Sequence, residues 1–528
     1  MKPRRIFTLT IVAVLTFLLS SASADVNPAL EEAAGYLEAW QLTEAEAAAE
    51  RLLRQNPRSA EILELNAMAM FYLGRYEEAL RFLEQALAYD SANEKRQALR
   101  LLTQRTRDTV QKLKRFESPH FIVYLDEQKD GILLPHLLDA LEKSYQSIGR
   151  DLGYFPQAKV RVEIAPDAAS FNAISTLSLR DIEETGAVGI CKFNKIMTIS
   201  PRSLVHGYRW LDSLSHEYLH YVIVGLSRNQ APIWLHEGLA RFYETRWRRP
   251  DALRGARDYL TPANETLLAQ ALEKNKFVGF KNMEPSLIHL ETPEEVQLAY
   301  AEAASAIDFM IQGKGPPVIP RLLVELREKP VAQAIESATG GSFEAFEARW
   351  KEFLKAKGLK EIEGSRVRRL KVKKNQGEDE EAVELKEIQS VVARNRTHLG
   401  NELLGRGRTA AALQEYRRAL TSSPHSPAIL NKLARALMLV QRYEEAVPHL
   451  EKARSLDPDN PGTYVQLGQL YHATKKDTEA RAALEEAIQI NPFNPAIYRL
   501  LYEIYSASGE ADQAKHAKAT LEKLLTPR

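Results

Sequence analysis

Two histidines four residues apart, with a glutamate after the first, occur in His216-Glu217-Tyr218-Leu219-His220. Residues at that spacing share one face of a helix, so both imidazoles can reach one cation, while Glu217 stands close enough to take a proton from water. A second segment, Trp234-Leu235-His236-Glu237-Gly238-Leu239-Ala240-Arg241-Phe242-Tyr243-Glu244, follows a loop broken by Pro232. A carboxylate from this segment would supply a third protein ligand and leave one position open, the arrangement of catalytic rather than structural zinc. His236 competes for that place. Neighbours in a helix point about 100° apart, so His236 and Glu237 do not bind together. Glu244, two turns beyond Glu237, can hydrogen-bond a ligand imidazole or form a surface ion pair. Asp212 reads as a capping or solvent residue, and Cys191, the only cysteine, as a small buried residue in a strand.

These residues need rigid elements to hold them. Trp210 to Leu226 reads as one helix, with Leu211, Leu214, Leu219, Val222 and Ile223 available for packing and Gly225 near its stop. Before it, residues 118–126, 159–165 and 187–200 carry the β-branched clustering of strands, and Pro135 to Leu152 the period of a helix. The region therefore starts α+β and ends helical.

With both segments in place, residues 116–360 resemble the gluzincins, the thermolysin and aminopeptidase clan of zinc metallopeptidases, and most closely their peptidase MA-like branch. There the first helix carries H-E-x-x-H and the second W-L-x-E-G-x-A. The resemblance extends to Val188-Gly189-Ile190 through Ser200-Pro201, Tyr300-Ala301-Glu302-Ala303-Ala304-Ser305-Ala306, Thr339-Gly340 and Trp350. It implies His216, His220 and Glu237 as Zn2+ ligands, Glu217 as general base and Tyr300 as the group assisting the oxyanion. It further implies peptide-bond hydrolysis on a polypeptide substrate, which the Val188 to Ile190 strand would hold by edge pairing. The continuation of the metzincins, a glycine and third histidine soon after His220, is missing.

Both flanks of this region are repetitive. Pro424, Pro458 and Pro492 lie 34 residues apart, as do Ala412, Ala446, Ala480 and Ala514, and 34 is the tetratricopeptide period. Within one unit Tyr464, Leu467, Gly468, Tyr471, Ala480, Leu484, Ala487 and Pro492 match that family's order, and Arg75-Tyr76-Glu77-Glu78-Ala79 recurs as Arg442-Tyr443-Glu444-Glu445-Ala446. About two degenerate units are expected in residues 25–115 and three to four in 386–528. The fold class is mainly α: an α+β gluzincin-like domain flanked by tetratricopeptide solenoids, whose concave surface suits a protein partner. The basic-then-acidic stretch 361–385 reads as a solvated linker that few tertiary contacts cross.

The chain opens with Lys2, Arg4 and Arg5, an apolar run from Ile6 to Leu19 and small residues ending at Ala24. This reads as a signal peptide, residues 1–24, for a periplasmic or secreted protein, the rival being an uncleaved anchor. Lys plus Arg number 71 against 70 Asp plus Glu, so no field favours nucleic acid, and peripheral membrane association is not indicated. The alternative to a peptidase is a catalytically inactive tetratricopeptide scaffold of the cell envelope.

Overall fold

The computed structural model describes residues 27–249, 258–373 and 380–526. The expected signal segment, residues 1–24, lies outside them, and no described helix is long and apolar enough to cross a membrane.

The chain is mainly helical. Five helices come first: α1 (Asn27–Glu38), α2 (Leu42–Gln55), α3 (Ala60–Tyr72), α4 (Tyr76–Tyr89) and α5 (Glu94–Val110). Ser59 and Asn93 start α3 and α5 by accepting the N–H of Ile62 and Arg96, which answers one of the donors a helix N-terminus leaves open. A sheet follows, interleaved with helices: β1 (Lys114–Glu117), β2 (Phe121–Leu125), α6 (Glu127–Asp130), α7 (Leu134–Leu152), β3 (Val160–Ala165), α8 (Ala168–Ser175), α9 (Leu179–Thr185), β4 (Gly189–Lys192) and β5 (Lys195–Ile199). The strand order is β1-β2-β3-β5-β4, with β2, β3 and β5 parallel and both edge strands antiparallel.

The strand expectations gain detail. Residues 187–200 divide into the hairpin of β4 and β5, because Phe193 and Asn194 both adopt φ of 57° and reverse the chain. β1 has no counterpart in the sequence reading; its Lys-Arg-Phe-Glu carries one apolar residue and is largely exposed.

The N-terminal helices are welded to this sheet. Lys195 Nζ donates to Glu163 Oε2 at 2.8 Å and to the Tyr76 hydroxyl at 3.0 Å, and Tyr76 in turn donates to Glu163 Oε1 at 3.0 Å. Phe71 and Tyr72 of α3 meet the Phe193 ring edge-on at 5.1 and 5.6 Å. One buried apolar cluster accordingly runs from Leu30 through the sheet to Val372.

Seven helices complete the central region: α10 (Trp210–Ser227), α11 (Ile233–Tyr243), α12 (Pro262–Lys274), α13 (Pro293–Lys314), α14 (Val318–Glu325), α15 (Val331–Thr339) and α16 (Phe343–Ala356). α17 (Glu380–Glu387) precedes four helical hairpins: α18 (Val391–Gly405) with α19 (Thr409–Ser422), α20 (Pro427–Leu439) with α21 (Tyr443–Leu456), α22 (Pro461–Ala473) with α23 (Asp477–Ile490), and α24 (Pro495–Ala507) with α25 (Ala511–Leu525). Proline opens α20, α22 and α24, where its missing N–H costs nothing.

The segment read as a solvated linker is held along the surface of the central domain. Ile362 N–H donates to Thr266 Oγ1 at 2.9 Å, Val205 N–H to Lys371 O at 2.9 Å and Lys373 N–H to Ser203 O at 2.8 Å. Val372 is buried where it bridges Leu204. Leu370 packs against the same core and Ile362 against Leu430, Ala453 and Leu456 of the array, so the few apolar residues of a charged run anchor it where its backbone also pairs. Glu378 and Asp379 lie outside the described residues.

Candidate metal centre

α10 and α11 bring His216, His220 and Glu237 together. Glu237 Oε2 lies 3.5 Å from His216 Nε2 and 3.6 Å from His220 Nε2, and one ligand atom from each of the three falls within 4.8 Å of the others. Donors about 2.0–2.1 Å from a tetrahedral zinc sit roughly 3.3 Å apart, so this set fits that ion. The nitrogens facing away are also engaged. His216 Nδ1 meets Glu244 Oε2 at 3.3 Å, and Glu244 is gripped by Arg241 at 2.9 Å. His220 Nδ1 lies 3.3 Å from His236 Nδ1. Both imidazoles are thereby turned with Nε2 toward Glu237, the orientation a metal ligand needs.

His236, the competitor for third ligand, is thus a buried partner of His220. Glu244 touches a ligand imidazole rather than forming only a surface pair. Asp212 is neither a cap nor a solvent residue: it is 3% exposed and accepts hydrogen bonds from Trp247 Nε1 at 2.9 Å and Arg248 at 2.6 Å.

Glu217 lies beneath the edge strand β4. A Cβ added at Gly189 would sit 2.7 Å from Glu217 Oε1, so only glycine lets the strand approach this closely. Cys191, also on β4, is half-buried rather than in the core. On the other side Gly238 of α11 packs against α13, where an added Cβ would meet Ala303 O at 2.6 Å. This close helix contact carries Tyr300 toward the site.

Burial opposes charge throughout, and the neighbours decide the outcome. At His216 the carboxylates of Glu237 and Glu244 outweigh burial and lift the pKa to about 10. At His220 burial prevails over Glu237, with His216 and His236 adding to it, and the pKa falls to about 3. Burial would raise Glu237, but the two imidazoles hold it near about 2. Glu217 rises to about 7, through burial and then the charge of Glu237, with His216 opposing. Burial first, then Glu237 and Glu217, push the Tyr300 hydroxyl well above its ordinary value, so it stays a donor at neutral pH.

The C-terminal array docks on the start of α10. Arg209, which precedes the helix, donates to Asp459 at 2.6 Å, to Glu486 at 2.9 Å and to Pro458 O at 2.8 Å. Trp210 Nε1 donates to Ile488 O, and the Tyr208 N–H to Ile490 O, each at 3.0 Å. Gly207 has φ of +68°, and an added Cβ would strike Ile490 O. Arg248 joins the two units by bonding both Asp212 and Glu486. The sequence signal for this interface, Gly207 before Tyr208-Arg209-Trp210, looks like an ordinary loop until the partner surface is known.

Tetratricopeptide-repeat family profiles match residues 65–89, 398–461 and 438–501. The chain carries tetratricopeptide repeats, modules of protein–protein interaction, and no peptidase family is among the matches. No curated protein matches. Among solved structures, the crystal structure of MamA shares 22% identity over 27% of this chain and 86% of its own, with a TM-score of 0.24. A thermophilic TPR protein of Thermus thermophilus shares 24% over 25% and 91%, with a TM-score of 0.19. The APC/C hetero-tetramer Cut9-Hcn1 shares 10% over 96% and 80%, with a TM-score of 0.28. None of these scores marks a shared overall fold.

Proposed function

We propose that this chain is a protein-binding tetratricopeptide scaffold built around a zinc-dependent hydrolase site, exported by its N-terminal segment, and that the bond it cuts is a peptide bond. The repeat matches support the scaffold. One observation supports the hydrolase: three ligand atoms converge while a fourth side chain, the non-ligating carboxylate of Glu217, lies beside them under an edge strand. Structural metal sites have no use for such a base.

Zinc, when bound by His216, His220 and Glu237, would lower the pKa of water and polarise a carbonyl. Glu217 takes the proton of the attacking water and returns it to the departing amine. Tyr300 donates a hydrogen bond to the developing oxyanion. Glu244 and His236 keep both imidazoles oriented. β4 presents an open edge to which an extended polypeptide can pair, and Gly189 lets that chain come close to Glu217.

Incubating the chain with an unfolded polypeptide tests this: new α-amino groups should appear, and a chelator should stop them. The second reading, a scaffold without turnover, is favoured by the repeats being the part that matches known families. It predicts retention of the polypeptide with no new α-amino groups, whether or not zinc is present.

A further inference from the structure

The inner face of a tetratricopeptide array is made by the first helix of each unit, here α18, α20, α22 and α24. Apart from the Tyr464 hydroxyl, the polar docking contacts with α10 and the residues before it come from the turn after α21 and from α23, and Phe493 and Leu524 pack against the central core. The inner helices carry more cations than acids: Arg394 and Arg396 on α18, Lys432 and Arg435 on α20 and Arg499 on α24, against Glu402 on α18 and Glu503 on α24. Arg435 and Arg499 are exposed and have no ion-pair partner among the described residues.

α17 already lies across two of these helices. Its Glu384 pairs with Lys432 at 3.0 Å, both side chains being partly covered. Val383 is 6% exposed, and Leu385 packs against the cluster formed by Ile388, Ala393, Ala419, Ala428 and Ile429. Arg394 donates twice to Ile388 O, at 3.1 and 2.7 Å, closing the exit of the segment. α17 itself, Glu380–Glu387, carries four acids and one lysine, so an acidic helix rests on a basic surface. Besides Glu384 with Lys432, Glu387 faces His206 Nε2 at 3.6 Å and its carbonyl accepts from Arg366 at 3.2 Å; each of these polar contacts is partly exposed and contributes little, so the helix is displaceable.

We propose that the inner face of the C-terminal array binds an acidic amphipathic helix of a protein partner, and that α17 is its built-in competitor. This rests on the reading of the array as a partner-binding module. The specificity lies in Lys432 and Arg435, three residues apart on one face of α20, with aliphatic side chains of the bound helix filling the place of Val383 and Leu385. Partner affinity is then set by how firmly α17 holds, and a change that weakens α17 opens the face without altering it.

The test uses the full chain and, as probe, a fluorescently labelled peptide of residues 378–389, followed by anisotropy at low and moderate salt. Glu384→Lys, which sets α17 against Lys432, should raise peptide affinity at least fivefold. Lys432→Glu should lower it at least tenfold in a Glu384→Gln background, where α17 cannot re-form the pair with its signs reversed, and thermal unfolding of each variant should remain cooperative. Reversing the matching glutamate of the peptide to lysine should recover binding to the Lys432→Glu chain. Affinity unchanged by Glu384→Lys and by Lys432→Glu overturns the proposal. If the peptide fails to bind any variant while a neutral unfolded polypeptide is still retained, the acidic chemistry is wrong and the array reading survives; if neither binds, both fall.

Discussion

At the scale of single residues, the ligand set depends on what stands behind it. His216 and His220 present Nε2 to Glu237 because Glu244 and His236 occupy their Nδ1 atoms. Glu244→Gln should therefore lower metal affinity about 10- to 100-fold while leaving the three ligands in place. Competition with a chromophoric chelator measures this, and unchanged affinity would mean that Glu244 merely pairs with Arg241. His216, Glu217 and His220 are legible in sequence because their spacing on one helix fixes their relative directions, whereas Glu237, on the next helix, is singled out over His236 only by the family resemblance. The role of His236 is not legible there, since the direction it faces depends on the rotation of α11, which is set by its packing on α13.

At the scale of elements, two close approaches and one buried charge cluster hold the site. Gly238 is the point where α11 touches α13 backbone, so Gly238→Val should push the helices apart, cost about 1–3 kcal/mol and weaken metal retention. Equal stability by urea denaturation would show that α13 can shift freely. Lys195 and Glu163 are almost fully buried, 1% and 0% exposed at their side chains. Without Lys195, Glu163 keeps only Arg161, at 2.7 Å, as its ion-pair partner, so Lys195→Met should destabilise by somewhat less than the roughly 3–5 kcal/mol of a fully broken buried pair; a neutral effect would contradict the view that this cluster fixes the N-terminal helices on the sheet. The helices of the repeats were readable from a 34-residue period and the sheet from β-branched runs. The β4–β5 turn was hidden because Phe193 is an unusual residue at positive φ, and its ring is held there by Phe71 and Tyr72 from a distant helix.

At the scale of the whole molecule, the arrays and the metal centre are one structure. Against the expectation that few tertiary contacts cross the stretch 361–385, the C-terminal array is docked on the central domain at Arg209, Trp210 and Tyr208. A chain ending at residue 360 would leave the Arg209 guanidinium and the Trp210 indole N–H without their partners. It should melt several degrees lower and retain less zinc, as should Asp459→Asn with Glu486→Gln to a smaller extent; an unchanged Tm for the truncation would restore the picture of a tethered arm. Stability should also depend on pH through Asp130, which is fully buried and whose pKa burial raises to about 6 against the pull of Arg202 and Ser200. A raised carboxyl pKa favours the folded state below the unfolded value near 3.8, and that advantage is lost as the pH climbs through 6. Wild type should therefore lose at most roughly 3 kcal/mol between pH 4 and 7 relative to Asp130→Asn; parallel profiles would show that Asp130 ionises without cost.

The most direct measurement compares wild type with Glu217→Gln for zinc content and for cleavage of an unstructured peptide, side by side. The amide occupies the space of the carboxylate but cannot accept the proton. The account predicts about one zinc per chain in both proteins and a rate at least about 1,000-fold lower in the variant. Zinc bound equally with no cleavage by wild type, or cleavage undiminished by the substitution, would contradict it.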